Sequence, residues 1–349
     1  MLFMAIETSR INNESIKINL LEHYNIDVHS ISKVNNGSAN IYEIVSKNDK
    51  TYILKEFQSF IDKNKLKLEP TINQLLLNSK FPTSKILKTL KNEYLWSFNE
   101  RIFHLQEKAE GIIFSQNNAP DWLLRDSAMY LAKLHEILKY LPNFPIGMPK
   151  SGWDNESKIR KIEKMIHIKK EFISLESSNF MILEAINCLD FKIKYLKESK
   201  LSEKNNFDNL TIKNTHGDFN LNQILIKNNS VESVIDFSSA SALPASWEII
   251  RSFTYSHKSS HSGEINILDL KKYIEEYLKY SLLTRDDINE MPAFYLNQLA
   301  FSLYGFEQYL KFQQDESLLI FAIWRTKLQK YLFENLQTIN NDFRNWSIL

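Results

Sequence analysis

The feature that most restricts the fold is a change in hydrophobic period near residue 115. Up to about residue 110, apolar and polar residues alternate in IYEIV and TYILKEF, and YLWSF and RIFHLQE are two further strand-like runs. A period of two sends successive side chains to opposite faces of a strand, so this part of the chain predicts about five short strands. Asn48-Asp49-Lys50 marks one hairpin turn, and Asn35-Asn36-Gly37-Ser38, after an earlier strand-like run, marks another. Residues 14–24 and 62–79 carry apolar side chains at helical spacing, the second with Leu66, Ile72, Leu75 and Leu76 on one face. Pro70 predicts a break or a late start in that helix, because proline lacks the N–H and its ring meets the carbonyl four residues back.

Beyond residue 115 the period becomes helical. LLRDSAMYLAKLHEIL, residues 123–138, is an amphipathic helix, followed by a proline-rich joint at 141–149 and helical segments near 154–175 and 178–199. Residues 215–237 interrupt with short strands, and the pattern returns to helix from about 246. The expected fold class is α+β in two lobes: a β-rich N-terminal lobe over residues 1–106 and a larger helical lobe over 107–349.

Composition removes several functions. With 43 basic and 42 acidic residues the net charge is +1, so no overall field draws nucleic acid or an anionic membrane. Cys188 is the only cysteine, which excludes a disulfide framework and a thiolate metal site and predicts a buried, inert thiol. MLFMAIETSR has no basic region ahead of its apolar run, and no apolar stretch reaches the length of about 18 residues that a membrane helix needs. These features predict a cytoplasmic protein.

The chemistry concentrates in THGDFNLNQILIKNNSVESVIDF, residues 215–237. Asp218 follows His216-Gly217, Gln223 comes five residues later, and Asp236 thirteen after that. Phosphoryl transfer needs a loop over the phosphates, a lysine held by an acid, a carboxylate for the hydroxyl proton and oxygen ligands for Mg2+. Asn36-Gly37-Ser38-Ala39, between two strands, can bring backbone N–H groups to phosphate oxygens, although it also reads as an ordinary hairpin turn. Lys55 lies in the strand YILKEF, where a lysine either snorkels from an edge or needs an acidic partner; Glu69 can supply one. Asp218 is the expected general base, with His216 a structural hydrogen-bonder. Strands at 224–226 and 234–235 would bring Gln223 and Asp236 to one hairpin end as oxygen ligands for Mg2+.

HGDFNLNQILI followed by VIDF resembles the Brenner-type motif of the aminoglycoside phosphotransferase and choline kinase-like superfamily, usually H-G-D-x-x-x-x-N and then I-D-[FW]. NNGSANIYEIV resembles its nucleotide loop, YILKEF its lysine strand, LQEKAEG its adenine hinge, LAKLH a helix of its large lobe, and PASWEIIRSF the segment after its metal aspartate. The resemblance implies a protein-kinase-like fold and ATP with Mg2+ as cofactors. It implies Asp218 as catalytic base, Asp236 as metal ligand, Lys55 as phosphate contact and Glu69 as its partner. Gly37 and Ser38 would lie in the nucleotide loop, and Glu107 and Ala109 in the hinge. Gln223 departs from the usual Asn; it could ligate metal on its longer stem, or Asn222 could take its place.

The implied activity is transfer of the ATP γ-phosphate to a hydroxyl of a small molecule: an amino alcohol, a sugar or an aminoglycoside. The alternative is a weak or inactive kinase-fold protein with a nucleotide-binding or spore-coat-like structural role. For the acceptor, residues 157–170 form a basic face that reads as solvated helix surface, with a polyanionic substrate as the alternative; the acids Asp286, Asp287 and Glu290 read as solvated helix ends, with pairing to a polycationic antibiotic as the alternative. Trp247, Tyr255, Tyr295, Tyr304, Phe306, Tyr309 and Trp324 include rings able to cage an ammonium, while the spacing of Tyr295, Leu299, Leu303 and Phe306 predicts core.

Overall fold

Alternating side chains build one antiparallel sheet from β1 (Val28–Val34), β2 (Asn40–Ser46), β3 (Thr51–Glu56), β4 (Trp96–Phe98) and β5 (Arg101–Glu107), in the order β1-β2-β3-β5-β4. The structure is a computed structural model that describes residues 7–34, 39–59, 61, 63–147, 153–175, 179–199, 207–312 and 315–348. On one sheet face Ile44, Leu54, Phe103 and Leu105 are fully buried against Ile16 and Leu20 of α1 (Asn13–Tyr24), one turn apart on that helix. Each such side chain contributes about 1.5–3 kcal/mol by leaving water. Asn12 caps α1 by accepting the Ser15 N–H at 2.8 Å, and Asn25 ends it in the left-handed region at φ +54°.

The helix α2 (Lys63–Asn78) runs through Pro70 without interruption, correcting the expected break. Its buried face explains this: Leu66, Glu69, Ile72, Asn73 and Leu76 are all buried, and the Asn73 amide ties the helix to Ser84 O (2.5 Å) and the Ile86 N–H (2.9 Å). Such packing outweighs the roughly 3 kcal/mol that an interior proline costs.

The chain packs as two compact units, Met1–Ile113 with Asn222–Ser239, and Phe114–Leu221 with Ala240–Leu349. The hairpin β7 (Ile224–Lys227) and β8 (Ser230–Val234) therefore belongs with the N-terminal sheet. It is tethered there by the Val234 N–H on Pro82 O (2.9 Å) and by reciprocal Ile112–Ile226 backbone bonds of 2.9 Å. Gly111 permits the second contact: at φ +115° a Cβ would sit 2.6 Å from Ile226 O.

The second unit is helical: α3 (Asp121–Leu138), α4 (Asn155–Ser174), α5 (Phe180–Glu198), α6 (Ala245–Ser256), α7 (Ile267–Leu278), α8 (Arg285–Asn289), α9 (Met291–Phe301), α10 (Phe306–Phe312) and α11 (Glu316–Arg344). The two-stranded sheet of β6 (Ile212–Thr215) and β9 (Ser241–Pro244) completes it. Tyr295, Leu299, Leu303 and Phe306 are core, and Cys188 is buried. Asp287 corrects the expectation of a solvated acid: it is fully buried, closes a capping box with Thr284, and accepts from Thr211 N (2.7 Å) and Thr211 Oγ1 (2.6 Å). Among the described residues no helix is long and apolar enough to cross a membrane.

Lys192 on α5 is 1% exposed and donates to Leu299 O (2.6 Å) and Gln329 Oε1 (2.8 Å), with no carboxylate at ion-pair distance among the described residues. Burial, reinforced by the Arg325 charge, pushes its pKa down to about 7 from 10.5. Between those values the unfolded chain binds the extra proton, so stability rises with pH across that window. In urea titrations at pH 7, 8.5 and 10, the wild type should gain on Lys192→Met by at most about 1.4 kcal/mol per pH unit. Parallel pH profiles for the two proteins would contradict the assignment.

Candidate active site

Two clusters of polar side chains form, one in each unit. In the first, Lys55 lies on the central strand β3, 6% exposed. Its Nζ donates to Asp236 Oδ1 at 2.7 Å and reaches Glu69 Oε1 and Oε2 at 3.4 and 3.5 Å. Burial opposes the ammonium, but the Asp236 and Glu69 carboxylates outweigh it and raise the lysine pKa above its ordinary value. Glu69 is raised because burial disfavours its charge, and Lys55, drawn closer to Asp236, offsets this incompletely. One ammonium thus serves two carboxylates.

His104 faces Lys55 across the β3–β5 ladder and is fully buried, with neither ring nitrogen hydrogen-bonded. Burial, and after it the Lys55 charge, push its pKa down to about 3, so the ring is neutral and packs edge-on to Phe57 at 5.1 Å.

Asp236 follows β8 in the left-handed region at φ +62°, a conformation Asp adopts more readily than most residues. The Ile235 N–H donates to Gln223 O at 3.0 Å, so Gln223 and Asp236 flank the same end of the β7–β8 hairpin, both part-exposed. Asp236 Oδ1 also accepts from Ser238 Oγ at 2.7 Å. At the end of β5 the Glu107 N–H donates to Lys85 O (2.9 Å), while the Ala109 backbone makes no hydrogen bond among the described residues. Gly37 and Ser38 lie outside the described residues.

The second cluster centres on His216-Gly217-Asp218, after β6. Gly217 takes φ +80°, a turn that suits glycine. The fully buried Glu248 of α6 braces this turn, accepting the Gly217 N–H at 2.5 Å and the His216 N–H at 3.2 Å. Its Oε2 also lies 2.8 Å from His135 Nε2, and His135 Nδ1 lies 2.7 Å from the Tyr277 hydroxyl. A carboxylate only accepts, so Nε2 carries the proton and Nδ1 accepts from tyrosine. Burial holds His135 below its ordinary pKa, and its bond to Glu248, with those of the backbone amides, keeps that carboxylate ionised despite its burial. Asp218 is a quarter exposed, and its Oδ1 accepts from Arg251 Nη2 and, at 3.4 Å, from Asn220 Nδ2. Replacing Glu248 by Ala strands a histidine and two amides in the interior; a stability loss of about 3–5 kcal/mol in urea unfolding is expected. A loss under about 0.5 kcal/mol, as at an ordinary surface position, would contradict the bracing role.

His135, Glu248, Arg251 and His104 did not stand out as site residues in the sequence. A signal existed for Glu248: a carboxylate between Trp247 and Ile249 in an amphipathic helix requires a partner if it is buried. Among the described residues no three His, Cys, Asp or Glu side chains gather as a metal cluster.

Residues 30–266, more than half of the chain, match the model of the phosphotransferase enzyme family (APH), and the chain belongs to that family. No curated protein matches the sequence. Among solved structures, the chain is similar to spectinomycin phosphotransferase APH(9)-Ia in complex with ADP and spectinomycin, at 15% identity and a TM-score of 0.61, covering 94% of this chain and 100% of that one. It is also similar to a microcompartment-associated aminopropanol kinase, at 11% identity and a TM-score of 0.62, covering 94% and 99%. A third is an amicoumacin kinase bound to AMP-PNP and Ca2+, at 12% identity and a TM-score of 0.60, covering 92% and 94%. The fold is therefore that of the kinase-like phosphotransferases.

Proposed function

We propose that the protein is an ATP-dependent small-molecule kinase that transfers the γ-phosphate to an alcohol. The observation that carries this reading is the Lys55–Glu69–Asp236 cluster. A buried ammonium between two carboxylates is a poor way to stabilise a fold, since apolar side chains of similar volume do as well or better. It is a good way to hold a cation ready for phosphate oxygens. The hard oxygen donors of Asp236 and Gln223 at one hairpin end suit Mg2+, which takes few protein ligands and keeps phosphate and water. When bound, the metal would neutralise charge on the phosphates.

In this reading Lys55 contacts the phosphates, with Glu69 as the acid that keeps it in place. The backbones at Gly37, Ser38, Glu107 and Ala109 receive the nucleotide. Asp218 accepts a hydrogen bond from the acceptor hydroxyl and takes its proton as the oxygen attacks the γ-phosphorus and ADP leaves. The brace from Glu248 holds the Asp218 turn. We place the protein in the cytoplasm, where ATP and a reduced Cys188 are both expected, and assign it neither a nucleic acid nor a membrane as partner. Gln223, in place of asparagine, favours one competing reading: a nucleotide-binding protein with weak or no transfer.

ADP release from MgATP, measured over choline, ethanolamine, homoserine, sugars and aminoglycosides, tests the proposal. Stimulation by at least one alcohol is expected. MgATP binding with no alcohol-dependent release would support the competing reading instead.

A further inference from the structure

We propose that Arg251 and Arg325 select an acceptor alcohol that carries an anionic group, a carboxylate or a phosphate, beside its hydroxyl. This rests on the kinase reading and names the substrate class for the same site. Arg251 uses Nη2 to hold Asp218, while its Nη1 is buried with no hydrogen-bond partner. Its guanidinium lies over the Tyr255 ring at 4.2 Å. From there a patch of part-exposed rings continues: Tyr255 to Phe321 at 6.1 Å, Tyr255 to Trp324 at 4.9 Å, and Phe321 to Tyr304 at 5.9 Å.

The far side of the patch ends in Arg325, only 8% exposed and 5.6 Å from the Phe321 centroid. It donates to the neutral acceptors Ser302 Oγ (2.7 Å) and Gln298 Oε1 (3.1 Å), and its Nε has no partner. No carboxylate pairs with it among the described residues. A buried guanidinium without a counter-ion calls for an anion, and the planar fork matches a carboxylate or phosphate edge. Asp218 and Asp315 are carboxylates whose charge acts on the Tyr304 hydroxyl, as does that of Arg325. Asp218 is held by Arg251, and Asp315 caps α11 by accepting the Ser317 N–H at 2.9 Å. Neither balances Arg325. A polycationic acceptor would meet two guanidinium groups here. A hydroxy acid would place its anion against the guanidinium that holds Asp218, which sets the hydroxyl beside that base.

The test is ADP release by the wild-type chain with saturating MgATP on matched alcohols: serine against ethanolamine, homoserine against 3-aminopropanol, glycerate against ethylene glycol, and glycerol 3-phosphate against glycerol. Kanamycin serves as the polycation. The anionic member of at least one pair should show a kcat/KM higher by about tenfold or more. Arg325→Met should collapse that ratio by about tenfold, with Arg325→Lys restoring part of it. Equal or better use of the uncharged members or of kanamycin overturns this proposal and leaves the kinase reading standing. Release with no alcohol of any charge overturns both. The wild-type pairs decide the matter even if the variants fail to fold.

Discussion

Asp218→Asn should lower kcat by about 10²- to 10⁴-fold while leaving ATP affinity within about twofold. Asparagine keeps the size and one acceptor oxygen of the side chain but cannot take the hydroxyl proton. It also leaves the Arg251 guanidinium without a counter-ion, so a stability loss of about 1–3 kcal/mol is expected beside the kinetic one. The two effects separate by measuring single-turnover transfer well below the unfolding transition and titrating ATP under the same conditions. Unchanged turnover would remove Asp218 from the reaction. Equal losses of turnover and ATP affinity would make it a nucleotide ligand instead of a base.

Lys55→Met should have the larger structural effect. The variant leaves Glu69, with 4% of its side chain exposed, and Asp236 facing each other without the ammonium. A loss of about 3–5 kcal/mol at pH 7 is expected, with a fall in kcat/KM of about a hundredfold or more. The pH dependence identifies the cause. In the wild type the Lys55 pKa is raised by folding, so its contribution is whole below the ordinary value of 10.5 and is lost only as pH climbs through the folded value. The Glu69 pKa is also raised by folding, so its charged form costs stability above its ordinary value of 4.5, and more so once Lys55 is gone. The variant should therefore recover stability as pH falls from 7 towards 5, against the usual trend for acid unfolding. Urea unfolding at pH 5, 6 and 7 checks this. A variant as stable as the wild type at pH 7, or one that weakens on acidification, would contradict the shared-ammonium arrangement.

Much of this was legible because the deciding patterns are local. Alternation in IYEIV and TYILKEF is enough for β2 and β3, the strand-like run RIFHLQE for β5, and helical spacing over 123–138 for α3. The nearness of Gln223 and Asp236 could be expected because a short hairpin joins them. Other features depend on packing that no short window contains. β9, the run Ser241–Pro244, has no alternation because all four residues are buried. Pro70 reads as a breaker until the buried face of α2 is seen. The partners of the Asp218 turn come from distant segments, Glu248 and Arg251 from α6 and His135 from α3. Each is a charge or imidazole in an amphipathic run, which marks burial but not the partner. Asp287 reads as solvated for the same reason, since a capping carboxylate at a helix start looks exposed until Thr211 is packed against it.

The most direct measurement is calorimetric titration of ATP into the wild type and Asp236→Ala, each with and without Mg2+. The expected result is wild-type binding that tightens with Mg2+ and a variant whose weaker binding no longer responds to the metal. Equal affinities in all four titrations, or no binding by the wild type, would contradict the assignment of Lys55, Glu69 and Asp236 to a triphosphate site.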